Sequence, residues 1–222
     1  VRQALWILVV VAFAGVVLIS LGRRASGPVP QDSYPPWRVD RLPDGRTRVF
    51  GLVPGSSTLQ DALEGLGPHL EAAVFQSPEG DLVAEAYYPS ARPGGISGHL
   101  VLILDLAHSA LETLRDHSPK HERMGTGNIR YTPRAQDAAR LEEARIRGMT
   151  FVPTADLDEE ILETRFGTPA ERVPADEHTA HWLYPERGLA ITVNARGKEV
   201  LQYGQPSDFA WVRSGLSRAQ RP

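Results

Sequence analysis

The side chains that could do chemistry fall into three groups, and each is tested against the geometry its chemistry demands. The first is the histidines: His108, His117 and His121 lie close together, and His178 and His181 flank Thr179-Ala180 beside Asp176 and Glu177. A metal site needs three or four converging ligands. His117 and His121 would share a helical face, but Pro119 between them opposes a helix. His178 and His181 would point to opposite faces of an extended strand. No metal site is therefore predicted, and the histidines read as exposed loop residues.

The second group is nucleophilic. Gly95-Ile96-Ser97-Gly98-His99 lies in a Gly-rich loop and places a hydroxyl near an imidazole, but it lacks the G-x-S-x-G spacing of a nucleophile elbow and is not preceded by a strand. The chain has no cysteine, so a thiolate nucleophile is excluded. Gly125-Thr126-Gly127-Asn128 is too short for a phosphate loop. The acidic run Asp156 to Glu160 reads as a helix start, where carboxylates favour the positive end of the helix. No catalytic residue, cofactor or metal ligand is assigned, and the expectation is a protein that is not an enzyme. The alternative is a small-ligand-binding or hydrolytic domain using the loop around Ser97 and His99.

The third group is aromatic. Trp182 and Tyr184 share one face of a predicted strand, and Tyr87 and Tyr88 hold the corresponding place earlier in the chain. Aromatic side chains are enriched at the centres of protein interfaces, and the same residues are ordinary core material. Tyr87, Tyr88, Trp182 and Tyr184 are the candidate protein-binding residues. Nucleic acid is not an expected partner: 24 basic residues face 27 acidic ones, for a formal charge of −3, without a basic stripe.

The elements that would position these groups begin with an apolar run. Residues 4–21 contain no charge, which is a membrane-spanning length. Arg23 and Arg24 follow as a stop against the headgroups. The reading is an uncleaved single-span anchor in the inner membrane, with the following domain periplasmic; the arginines after the span argue for the opposite, cytoplasmic orientation. Ala25 to Pro36 carries four prolines and reads as an extended tether.

Beyond the tether, Trp37 to Leu42 and Arg46 to Leu52 flank a Pro-Asp-Gly turn and predict a hairpin. Ser57 and Gln60 have capping-box spacing. Leu59, Ala62, Leu63 and Leu66 then fall on one helical face, and Gly67-Pro68 supplies a stop. Strands are predicted near Ala72 to Gln76, Leu82 to Tyr88 and Leu100 to Leu104, the last apolar on both faces and so covered on both. A helix from Leu106 to His117, a polar Gly-rich stretch from Ser118 to Asn128, and a solvated helix from Thr132 to about Arg147 complete the first half. The second half repeats the order: a helix opened by Asp156 and closed by Gly167-Thr168-Pro169, then strands near Ala180 to Tyr184, Leu189 to Asn194 and Glu199 to Tyr203. Val53-Pro54 aligns with Val152-Pro153, Leu66-Gly67-Pro68 with Phe166-Gly167-Thr168-Pro169, and Tyr87-Tyr88-Pro89 with Leu183-Tyr184-Pro185.

The expected fold class is α+β: an N-terminal transmembrane helix followed by two tandem modules, each a helix plus an antiparallel β-meander. The expected divisions are the anchor (1–24), tether (25–36), first module (37–131), helical connector (132–149), second module (150–212) and a disordered tail (213–222).

The run Val49-Phe50-Gly51-Leu52-Val53-Pro54-Gly55-Ser56-Ser57-Thr58, with Leu63 and Leu66-Gly67-Pro68, resembles the opening strand, helix and Gly-Pro stop of the SmpA/OmlA (BamE-like) envelope lipoproteins. Arg165-Phe166-Gly167-Thr168-Pro169 and Trp182-Leu183-Tyr184 resemble a second copy, and such tandem copies are similar to the β-lactamase inhibitor protein architecture. The resemblance implies cofactor-free α+β modules that bind an envelope protein partner through a sheet face or loops. Here an apolar span stands where those lipoproteins have an acylated cysteine. The functional expectation is a non-enzymatic envelope protein, held to the membrane through residues 4–21, that binds a protein partner near the inner membrane.

Overall fold

The computed structural model describes residues 34–216. In chain order the elements are β1 (Asp40–Arg41), β2 (Thr47–Arg48), α1 (Leu59–Leu66), β3 (Glu71–Gln76), β4 (Leu82–Ala91), β5 (Gly98–Asp105), α2 (His108–Asp116), β6 (Lys120–Arg123), β7 (Ile129–Thr132), α3 (Ala138–Glu142), β8 (Arg145–Pro153), α4 (Glu159–Phe166), β9 (Glu171–Pro174), β10 (Thr179–Tyr184), β11 (Leu189–Asn194), β12 (Val200–Tyr203) and α5 (Phe209–Leu216). Strands β1 and β2 form the expected small hairpin. The other ten make one antiparallel sheet in the order β6-β7-β3-β4-β5-β8-β12-β11-β10-β9.

This sheet corrects the expected fold class. In place of an α+β chain of tandem helix-plus-meander modules, the described residues form a mostly β structure with a few short helices. Its ten strands run through both halves without a break, because β8 pairs with β5 on one side and β12 on the other. The helix expected from Thr132 to about Arg147 overlaps the first residues of β8, and no strand is expected over the rest of it. The pattern Ala138, Leu141, Ala144 fits helical spacing, but α3 stops at Glu142 and Arg145–Pro153 is extended. The β-prone run Met149-Thr150-Phe151-Val152 gains a full ladder on both edges, which outweighs a helix with so thin an apolar stripe. The polar stretch from Ser118 to Asn128 also contains a strand: Lys120–Arg123 pairs with Ile129–Thr132, just beyond that stretch, around a turn at Gly127.

The expectation of a transmembrane helix, and with it the inner-membrane placement, is corrected too. Among the described residues no helix is long and apolar enough to cross a membrane. The span read at residues 4–21 lies outside the described residues, as do residues 25–33 of the tether and 217–222 of the tail. Residues 213–216 of that tail belong to α5.

One sheet face presents Ala84, Ala86 and Tyr88 of β4, Leu100, Leu102 and Leu104 of β5, Phe151 of β8, Leu201 and Tyr203 of β12, Ile191 of β11, and Trp182 and Tyr184 of β10. Leu59 and Ala62 of α1, Leu111 and Leu114 of α2, Leu141 of α3, and Leu162 and Phe166 of α4 pack into the same core. Each such large side chain contributes about 1.5–3 kcal/mol on burial. Helices α1 and α4 are capped alike. Thr58 closes a capping box with Asp61, one residue later than the sequence spacing suggested, and Asp158 accepts a hydrogen bond from the Ile161 amide.

On the opposite face α5 lays Phe209, Trp211, Val212 and Leu216 against Leu183 and Ala190, in an apolar cluster that continues through Ile103, Val83, Ala73 and Phe75. Two glycines permit that approach. A Cβ on Gly148 would stand 2.6 Å from the Trp211 ring, and one on Gly204 would stand 2.7 Å from Val212.

Candidate functional site

Strand β4 runs between β3 and β5, with Glu71 opposite Tyr87 and Ala73 opposite Glu85 on one side, and Val101 opposite Tyr87 and Ile103 opposite Glu85 on the other. Because side chains alternate along a strand, Ala84, Ala86 and Tyr88 enter the helix-covered core while Glu85 and Tyr87 stand on the α5 face. There Glu71, Ala73, Phe75, Glu85, Tyr87, Val101 and Arg130 line a shallow cleft of about 10 Å³, room for one water-sized group, that opens to solvent.

Glu85 lies at the floor of this cleft and is only 5% exposed. Burial alone pushes its carboxyl up to about 8, because the apolar surroundings penalise the charged form. Nothing in the row above or below neutralises it, since its cross-strand neighbours are Ala73 and Ile103. At the rim, the Arg130 guanidinium donates to Glu71 at 3.0 Å and to Glu122 at 3.1 Å, tying β7 to β3 and β6. Tyr87 is half-buried. Its hydroxyl shares a 2.9 Å hydrogen bond with His99 Nδ1, and the two rings stack 5.9 Å apart at 22°. Burial, and secondarily the Glu71 carboxylate, raises the Tyr87 phenol above its usual value.

The four predicted aromatic residues therefore separate. Tyr87 lines the cleft. Tyr88, Trp182 and Tyr184 are buried on the other face, Trp182 being 1% exposed. Tyr88 donates its hydroxyl to the Gly67 carbonyl at 3.1 Å, and Tyr184 donates to the Gly167 carbonyl at 2.9 Å, so each phenol caps the C-terminal end of a helix. The Arg172 guanidinium sits 4.2 Å from the centroid of the Trp182 ring. These three side chains hold the fold together and offer a partner no open surface.

Ser97 and His99 are exposed neighbours on one side of β5, but His99 is engaged by Tyr87, and Ser97 serves the sheet through its carbonyl, which accepts from the Thr154 amide at 2.8 Å. Among the described residues no carboxylate orients His99 in the manner of a catalytic triad. Among the described residues no group of three or more His, Cys, Asp or Glu side chains is placed to hold a metal ion.

Sequence reasoning missed Glu85. The signal was present, since Leu82-Val83-Ala84-Glu85-Ala86 sets one carboxylate into an apolar strand between two alanines, and a charge at such a position is either paired or perturbed. Arg130 escapes notice because no element is expected over Ile129 to Tyr131, between the polar stretch and the next predicted helix.

No protein-family model, curated protein or solved structure matches the chain. The resemblance to the SmpA/OmlA lipoproteins stands on its motifs alone.

Proposed function

We infer that the protein is a non-enzymatic binding protein that takes up a segment of a partner protein at the cleft between Tyr87, Val101 and Glu85. The observation that carries this reading is the make-up of the cleft: an aromatic platform of Tyr87 stacked on His99, apolar walls at Phe75 and Val101, and a polar edge. That is the composition of a small protein-binding hot spot. The charge around it selects the partner. Three acidic side chains, Glu71, Glu85 and Glu122, stand in or beside the cleft against one guanidinium, Arg130, which pairs with Glu71 and Glu122, so a segment presenting an aliphatic or aromatic side chain together with a cation is the complementary one.

Selection of a displayed peptide library against the full chain tests the reading. Enriched peptides should combine a large apolar residue with Lys or Arg. Their affinity should fall at least tenfold in Tyr87→Ala and stay unchanged in Ile161→Ala, which alters an exposed position on α4. Enrichment that is indifferent to Tyr87→Ala would assign binding to another surface.

A further inference from the structure

We propose that Glu85 is the acceptor for the cationic group of that partner, and that seating an ammonium or guanidinium against it expels a proton, so that capture strengthens as pH rises. The inference rests on the binding reading above and names its chemistry. It stands first on geometry. The Glu85 carboxyl is nine-tenths buried, lines an open cleft, and has no hydrogen-bonding or charged partner among the described residues. Its oxygens stay reachable from the cleft, where an incoming N–H donor supplies the hydrogen bonds that the neighbouring strands do not.

Every charged or titratable group near the cleft fits this role. Glu71 on β3 is held by Arg130 of β7, which Glu122 of β6 also engages. Tyr87 on β4 is engaged by His99 of β5. The β5 side chains beside the carboxyl, Val101 and Ile103, are apolar. Glu85 is the member of the set that a ligand cation can claim without breaking an existing ion pair. In the free protein the carboxyl is mostly protonated at neutral pH. The ligand cation binds the carboxylate, and the carboxyl proton leaves to solvent, so charge balances.

The probes are n-butylammonium and n-butylguanidinium, which carry the head groups of lysine and arginine, with 1-butanol as the neutral comparison, each titrated into the full chain and followed by NMR shifts of the Tyr87 and Val101 amides. With Glu85 pushed up to about 8, the ionised fraction rises roughly fifty-fold between pH 6 and pH 8, while the ligand cations stay charged. Affinity for the cations should rise by a similar factor, and that for butanol should not. Glu85→Gln, and separately Glu85→Leu in case the amide disturbs the sheet, should abolish the rise. Cation affinity that is flat with pH, that survives in both variants, or that is absent for both cations overturns the proposal. The selected peptides separate the two readings. If they bind wild type and Glu85→Gln alike but lose affinity in Tyr87→Ala, the binding site stands and the role of Glu85 fails.

Discussion

Glu85 on β4 and His181 on β10 occupy the same station in two halves of one sheet, and they have met opposite fates. Each lies three residues before a tyrosine that caps a helix, Tyr88 on Gly67 and Tyr184 on Gly167, and each is 5% exposed on the α5 face. The difference is in the neighbouring strand. His181 faces Thr192 of β11, whose hydroxyl shares a 3.0 Å hydrogen bond with Nδ1. Glu85 faces Ile103 of β5, which offers nothing. Burial acts on both in the direction of neutrality, raising the carboxyl and lowering the imidazole. What separates a satisfied core position from a candidate site is one cross-strand partner.

The comparison breaks most visibly if the His181 half is not the closed one. Trp182, next in sequence to His181 and buried on the helix-covered face, should cost about 3–5 kcal/mol on truncation to alanine, the range for large aromatic core residues. Tyr87→Ala, on the half-open cleft face of the other half, should cost no more than about 1 kcal/mol of stability. Denaturant unfolding of the two variants measures both. Similar losses would mean that Tyr87 is as much a core residue as Trp182.

The proton linkage of the two groups runs with opposite signs. Glu85 has its folded value near 8, above the unfolded 4.5, so its stabilising effect is full below pH 4.5 and is lost as pH rises towards 8. Between pH 5 and pH 7 that amounts to about 2–3 kcal/mol, and Glu85→Gln should remove the slope. His181 is depressed by burial, with Asp176 opposing. Its contribution is present above about pH 6.5, the unfolded value, and is lost as pH falls below it. His181→Gln should flatten only the acidic limb. Chemical denaturation across pH 4.5–8 separates the limbs, and a Glu85→Gln protein with an unaltered slope would sink the assignment of a raised carboxyl.

The sequence disclosed local grammar better than it disclosed partnership. Helix α1 was legible because Leu59, Ala62 and Leu66 keep one face and Gly67 ends it. The strands around Tyr88 and Tyr184 were legible because β-prone runs sit between strong turns. Strand β8 was not, since its value to the chain lies in pairing with β5 and β12, residues distant in sequence, and a helical spacing just before it gave a local answer that the long-range ladder overrode. The site was half legible. Tyr87 and His99 were noticed for their types, but which of Tyr87 and Tyr88 faces the cleft depends on the parity of one strand. Glu85 needs burial and the identity of Ile103 before it means anything.

Giving Glu85 the partner that His181 has should make the two stations alike. Ile103→Thr places a hydroxyl opposite the carboxyl in the same cross-strand relation as Thr192 to His181. A donor to the ionised form lowers a carboxyl's pKa, and a drop of about one unit, worth about 1.4 kcal/mol, is expected. Carbon-13 NMR titration of the Glu85 carboxyl reads it directly. A carboxyl that stays near 8 would show that the missing cross-strand partner is not what distinguishes the halves.

The smallest effect tests the frame in which the stations are matched at all. If Tyr88 and Tyr184 are equivalent anchors, Tyr88→Phe and Tyr184→Phe should cost nearly the same. Each removes one hydroxyl hydrogen bond, to Gly67 and Gly167 respectively, and leaves the ring in place. The expected loss is about 1 kcal/mol apiece, the net worth of such a bond with the helix-end carbonyl left to find water. Tyr184 has an additional neighbour, because the Arg187 guanidinium lies 5.7 Å from its ring centroid, but that contact involves the ring and survives the substitution. The two variants also lie in different halves of the sheet, so the double variant should lose the sum of the single losses. A double variant that loses much more than the sum would show that the two helix caps report one cooperative unit, coupled through the β5–β8 pairing. The matching of Glu85 with His181 would then be a consequence of that shared frame and would say nothing about each half separately.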